Sequence, residues 1–450
     1  MPQATIAIQT TLPKINRILK TLIQSGLEAA DPGKSMKQEI IRKDNQLCVN
    51  MAHYDLSQFQ RVICVGAGKA SAHMARTLEQ ILGNYLEGGM VIVKDGYEAP
   101  TKKIQVIEAS HPLPDSRGVR ATKNILTIVE SLTKQDLLIV LLSGGASSLL
   151  CAPAPGLTLA DTRKTANALL RSRATIHELN TVRKHLSVIK GGQLAKTTKA
   201  QILTIIVSDV MGDDLATIGS GPTVPDPSTF HDAQAILKQY QIWNNAPERV
   251  RTHLEQGIDG HLPETWKSRR QHSPRNRSII LANNHTAING ISLAAKRLGL
   301  RPSILDSPFQ GEAKDLGSIL GAMAKDIREF GNPIRPPGCL IAGGEPTVTV
   351  TGKGKGGRAQ ETVLAAAQEI AGLLNVFVAG FGTDGTDGPT DVAGALVDGL
   401  TIEQAAQKGI DVSQFLNNND SYNFFKKVGG HIITGPTNTN VNDIYLVLVL

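Results

Sequence analysis

Apolar residues in this chain fall mostly into short unbroken runs rather than alternating with polar ones. VICVGA (62–67), MVIVK (90–94), IQVIEAS (104–110), DLLIVLLSGG (136–145) and ILTIIVSDV (202–210) form a first series. Continuous runs of this length indicate parallel strands covered on both faces. Between them apolar positions recur at helical spacing and predict helices over 69–83, 118–132, 160–171 and 176–196, after an opening helix at 10–32. A second series follows: SIILANN, RPSILD, GCLIAGGE, TVTVTG, NVFVAGFG, HIITG and DIYLVLVL, with helices predicted over 285–298, 311–330, 358–371 and 401–409. The pattern is that of an α/β protein with two domains, each a largely parallel sheet flanked by helices, the first Rossmann-like. The expected division is 1–265, a polar basic linker WKSRRQHSPRNR at 266–277, and a smaller domain at 278–450.

The 450 residues suffice for two large cores, and 43 glycines beside only 4% aromatics suit glycine-rich strand-to-helix turns. The net charge of +7 suits acidic small molecules. No docking motif or aromatic-studded basic face marks a nucleic-acid reader. The four cysteines (48, 64, 151, 339) make no C-x-x-C and read as free thiols of a reducing cytoplasm. The opening residues lack a signal-peptide pattern, and no run reaches transmembrane length. No membrane partner is expected.

Candidate chemistry sits just after the apolar runs, where ligands bind in parallel sheets. VGAGKAS carries Gly66, Gly68 and Lys69. It is neither a dinucleotide fingerprint, since Ser71 replaces the third glycine, nor a P-loop. Two readings stand: a tight turn with a solvated lysine, or an anion site where helix-start amides and Lys69 hold a phosphate. LSGGASSLL offers Ser143, Gly144, Gly145, Ser147 and Ser148, an anion cradle or, against the missing G-x-S-x-G, a serine nucleophile. Asp209, Asp213 and Asp214 share one turn, suited to Mg²⁺, to proton transfer or to capping. Glu345, Gly357 and Arg358 lie in GGEPTVTVTGKGKGGR, which is either a flexible hairpin tip or a loop closing on an anion that Arg358 grips bidentately. Asp384 and Asp387 follow NVFVAGFG without EF-hand spacing. The scattered histidines make no zinc site.

In order, VGAGKAS, HPLPD, LLSGGASSLL, HELNTVRKHLSVIKGGQLA, SDVMGDDLATIGSGPTVPD, GGEPTVTVTGKGKGGR, GTDGTDGPTD and TGPTNTNVNDIYLV resemble the class II glycerate kinases, whose C-terminal region is called MOFRL. The resemblance spans nearly the whole chain. It implies phosphorylation of D-glycerate by ATP with Mg²⁺, usually at the 2-hydroxyl, in a cleft between two α/β domains. It also implies that Lys69 and Arg358 are catalytic. Beside it, Asp209 is assigned to metal contact or base, Asp213 to the metal, and the glycines, serines, Glu345, Asp384 and Asp387 named above to nucleotide or phosphate. His111, Arg183 and Lys190 are assigned to the substrate. Formation of the 3-phosphate, a hydroxypyruvate reductase and a non-catalytic sugar-acid sensor remain alternatives, as do monomer and homodimer. Two positions depart from the family: Ala359, where asparagine is frequent, and Arg173, where glycine is usual.

Overall fold

A computed structural model describes residues 6–267 and 276–450. Most of the expected linker (268–275) lies outside the described residues. The chain forms two compact units, one of residues 35–281 and one of residues 1–34 with 282–450. The second unit thus begins at the N-terminus, and the first 34 residues do not belong with the segment that follows them, as the sequence division had it.

The 35–281 unit holds a six-stranded sheet in the order Asn276–Ala282, Gln201–Val207, Asp136–Leu142, Arg61–Ala67, Leu86–Lys94, Ile104–Ala109. The four pairings among the last five of these strands are parallel. All seven residues of Asp136–Leu142 are buried, which is why that run has no polar alternation. The chain runs from Arg61–Ala67 outward through two strands on one side. It then returns to lay Asp136–Leu142 on the other, so strand order reverses between these two neighbours. A small antiparallel meander, Ile40–Lys43, Gln46–Val49 and Ala52–Asp55, has no counterpart among the predicted strands. The helix expected at 176–196 is two, Ile176–His185 and Gln193–Thr197. Gly191 and Gly192, at φ 59° and 75°, break it.

The other unit holds a seven-stranded sheet, in the order Ala7–Ile8, His431–Ile433, Gly394–Asp398, Val376–Gly382, Asp443–Val449, Gly338–Gly344, Arg301–Phe309. Here the hydrogen-bonded ladder is mixed. Arg301–Phe309 pairs parallel with Gly338–Gly344, but Asp443–Val449 inserts antiparallel between Gly338–Gly344 and Val376–Gly382. Its two neighbours still run the same way, and helix Arg358–Glu369 connects them. An apolar run buried on both faces does not encode its direction, so parallel pairing fails at this inserted strand and again where Gly394–Asp398 pairs antiparallel with Val376–Gly382 and with His431–Ile433. TVTVTG is not a strand; only Thr347 bridges, to Glu312. Helix Pro13–Ala29 buries Leu19, Leu22 and Ile23 and packs on helix Asn284–Arg297. The two helices approach closely, since a Cβ on Gly290 would lie 2.5 Å from Ala29 Cβ.

Candidate active site

In the 35–281 unit the predicted residues gather at the carboxyl ends of neighbouring strands. Those after Arg61–Ala67 and Asp136–Leu142 flank the point where strand order reverses, which is where open parallel sheets bind ligands. Gly66 and Gly68 allow the two loops to meet. A Cβ would come within 2.2 Å of Leu141 O at Gly66 and 2.1 Å of Ser143 Oγ at Gly68. The amides of Gly68, Lys69, Ala70 and Ser71 donate to Ile92 O, Gly144 O, Ser143 Oγ and Gly68 O, at 3.0, 2.8, 3.0 and 3.2 Å. The amides expected to lie open at Gly68–Ser71 are therefore engaged, two by the facing loop, one by the neighbouring strand and one within the turn. What the turn presents is the half-buried side chain of Lys69. The open amides lie opposite: among the described residues Gly144 and Gly145 donate to no protein acceptor.

Gly145 has φ 88°, and a Cβ there would sit 2.9 Å from His111 Cδ2, so the imidazole lies over this turn. The Ser147 hydroxyl is shared between Ser220 Oγ at 2.7 Å and Lys190 Nζ at 3.2 Å. Ser220 in turn donates to Asn180 Oδ1 at 2.9 Å. Ser148 donates back to Gly145 O. Lys190 also donates to Ser147 O at 2.5 Å, and burial pushes its ammonium down to about 7, opposed by Cys151 and reinforced by Arg183. Half-buried Asp209 and Asp213 follow the next strand, Gln201–Val207. Asp214 accepts from Ala216 N and Thr217 Oγ1, so it serves its own turn.

In the other unit Arg358 opens helix Arg358–Glu369. Its Nε donates to Asp443 at 2.6 Å and Nη2 to the other oxygen at 3.3 Å; Nη1 reaches Glu345 at 2.8 Å. The fork expected to grip a ligand already grips Asp443. Asp443 is buried and Glu345 is exposed, so Glu345 is the partner an incoming anion can displace. Burial pushes the Asp443 carboxyl up to about 7 against the pull of Arg358. Asp387 is not open to a phosphate or metal. Its carboxylate accepts from Ala359 N, Gln360 N and Gln360 Nε2, capping the helix. Asp384 accepts from Thr386 N and Oγ1 within its turn. Among the described residues no three His, Cys, Asp or Glu side chains cluster as metal ligands.

The glycine-rich loop is not a flexible tip. Asn419 Oδ1 accepts from Thr351 N and Gly352 N, Asn418 Oδ1 from Lys353 N, and Asp420 Oδ1 from Lys355 N. Cβ atoms on Gly352, Gly354, Gly356 and Gly357 would lie 2.3, 2.4, 2.2 and 2.3 Å from Asn418 O, Asp420 Cβ, Ser421 Oγ and Asp387 Cγ. These glycines admit close backbone contact, and the loop is held in one conformation.

Comparison with known proteins places this arrangement. The MOFRL family matches residues 338–443, and a domain of unknown function (DUF4147) matches 18–255. A protein of Pyrococcus horikoshii named glycerate 2-kinase is 43% identical, over 97% of both chains. The chain belongs to the class II glycerate kinases. A Thermotoga maritima D-glycerate 2-kinase is 36% identical over 97% of this chain and 99% of its own. The solved structure of a Thermotoga maritima glycerate kinase superposes with a TM-score of 0.85 at 36% identity, covering 98% of this chain and 100% of that one. A 38% identical Agrobacterium vitis relative, over 96% of this chain and 94% of its own, is named putative hydroxypyruvate reductase.

For this class II glycerate kinase chain, sequence reasoning missed Asp443, Ser220 and Asn418–Asp420 as parts of the site's framework. Asp443 had one legible signal, an acid heading a strand whose residues are all buried. Arg173 adopts φ 59° just after helix Leu159–Arg171, so the glycine of the family resemblance answers a backbone requirement there. Ala359 is fully buried with its amide on Asp387, a packing position.

Proposed function

We propose that the protein transfers the γ-phosphoryl group of ATP to the 2-hydroxyl of D-glycerate, with Mg²⁺. The observation that carries the reading is the pairing of Lys69 with the open amides of Gly144 and Gly145 where strand order reverses. Fixed donors at such a point suit phosphate oxygens. Membership of the glycerate kinases and the names of the relatives support glycerate as acceptor.

The residues present fit a nucleotide–magnesium complex. A hard cation in kinases takes one or two protein carboxylates, its other ligands being phosphate oxygens and water, so a cluster of three acids is not needed. Asp209 and Asp213 supply that oxygen chemistry, and Asp209 is also the candidate to accept the proton of the attacking hydroxyl. When bound, magnesium neutralises charge on the phosphates. Lys69 adds a fixed charge for the oxygens of the transferring group; Arg358, held by Asp443, is the other cation that the family resemblance makes catalytic. Neither need reorganise during the reaction.

The test is ADP release from ATP with D-glycerate, with phosphorus NMR of the product, in Mg²⁺ and in excess EDTA. A 2-phosphate signal that requires the metal is expected. A 3-phosphate signal would overturn the position of transfer, and activity in EDTA the metal requirement. NADH oxidation on hydroxypyruvate without ADP release would replace the kinase by the reductase. Lys69→Ala and Arg358→Ala should each cut kcat by roughly a hundredfold to several thousandfold, about 3–5 kcal/mol, with Tm little changed in Lys69→Ala and lowered in Arg358→Ala, which strands buried Asp443. Near-normal kcat in either folded variant would remove that residue from the reaction.

A further inference from the structure

A cavity of about 220 Å³ lies behind the Ser147–Ser148 turn, between the 112–114 segment and helices Leu159–Arg171 and Ile176–His185. Its walls are largely apolar, with Leu113, Leu169 and Val182 among them. Arg163, Arg183 and Lys190 also line it, and among the described residues that do so none is acidic. Lys190 is buried, and among the described residues its ammonium hydrogen-bonds only to Ser147. Among the described residues, no carboxylate pairs with Arg183 or Lys190. Elsewhere in the same unit a buried lysine is matched: Lys184 faces Asp226 at 3.3 Å.

Two cations withdrawn from water without a counterion are costly, and proteins ordinarily pair them or leave them for a ligand. Burial lowers both groups, as expected when nothing compensates them, with Cys151 pulling the other way in each case. The missing partner is an anion, and the size and apolar walls of the cavity limit it to a small one. Ser147 belongs both to this cavity and to the turn that carries the open amides.

We infer that this cavity takes the carboxylate of the small hydroxy-acid substrate, with Arg183 and Lys190 as its counterions and Ser147 as the link to the phosphoryl site. The inference rests on the kinase reading for the identity of the acid, and on the cavity alone for the class of ligand. It predicts rejection of an uncharged polyol: glycerol would leave both cations unpaired, the kind of mismatch that discriminates most strongly.

The test uses the full chain with Arg183→Gln, Lys190→Gln and Lys190→Met. Thermal shift and calorimetry with D-glycerate, glycerol and inorganic phosphate, without nucleotide, give a readout besides activity. KM for D-glycerate and for ATP gives the second. Wild type should bind D-glycerate and not glycerol. The variants should raise KM for D-glycerate roughly tenfold to a hundredfold, the loss expected for one charge-assisted hydrogen bond, and leave KM for ATP within about twofold. Should one variant fail to fold, the other two still decide. Unchanged glycerate affinity in folded variants, or a rise confined to KM for ATP, would overturn the inference while leaving the kinase intact. Inorganic phosphate binding here in place of D-glycerate would make this a phosphate subsite and overturn it too. Glycerate binding lost in the variants, with no phosphoryl transfer in wild type, would uphold the cavity and overturn the kinase.

Discussion

Three residues show how backbone and burial set properties that identity alone does not. Arg173 holds a left-handed conformation at a helix end, where its amide donates to Leu170 O and that of Ala174 to Leu169 O. Arg173→Gly should therefore raise stability by about 1 kcal/mol in chemical denaturation, with activity unchanged. Asp443 and Lys190 both titrate near 7, with opposite consequences. Asp443 is raised by burial, so its contribution to stability is full below pH 3.8 and lost as pH rises through about 7. Lys190 is lowered from 10.5, so its contribution is full above that value and lost as pH falls through about 7. Asp443→Asn should tilt the Tm–pH profile between pH 5 and 8 upward toward alkaline pH relative to wild type. Lys190→Met should flatten the profile between about pH 7 and 10.5, where wild type loses stability as pH falls, with no loss of Tm at pH 7. Profiles parallel to wild type in both variants would contradict these assignments. Asp443→Asn should also lower kcat with little effect on KM for ATP, because it weakens the orientation of Arg358.

At the scale of elements, the loop before Arg358 works as a rigid support. Its amides are held by Asn418, Asn419 and Asp420, and Asn419 Nδ2 also donates to buried Glu361 at 3.3 Å. Asn419→Ala would strand two amides and leave the buried Glu361 carboxylate with Lys314, at 3.6 Å, as its remaining partner. The expected loss is about 2–3 kcal/mol, read from urea unfolding, together with a fall in kcat. Gly354→Ala places a methyl 2.4 Å from Asp420 Cβ and should cost about 1–3 kcal/mol. A fully stable Gly354→Ala variant would mean the loop is mobile after all. This support was illegible in the sequence because glycine runs read equally as mobility and as tight packing, and the partner residues lie some 60 positions downstream. The GKGKGG composition was visible; the turn that it lies against was not.

At the scale of the molecule, the first 34 residues complete the unit formed by 282–450. Leu19, Leu22 and Ile23 are fully buried there, and Ala7–Ile8 pairs with His431–Ile433. A fragment of 282–450 alone should be unfolded or aggregated. The same fragment joined by a flexible linker to residues 1–34 should give a cooperative thermal transition. A cooperative transition in the short fragment would show that the N-terminal helix is dispensable.

Period and composition along the chain determined the α/β class, most strands and helices, and the loops that carry chemistry, because a helix or buried strand imposes its repeat on consecutive residues. Motif order determined the family. Only tertiary structure decided the rest. Strand order put the Lys69 turn beside the Ser143–Ser148 turn, and the facing loop, the neighbouring strand and the turn itself took up the Gly68–Ser71 amides that the motif promised to an anion. Asp387 became a helix cap, while Asp443 became the anchor of Arg358. Arg183 and Lys190, assigned to the substrate from their motif, became a half-buried guanidinium and a buried ammonium with no carboxylate partner among the described residues. Each of these depends on which distant segment lies alongside, and non-local contact is what a local repeat cannot encode.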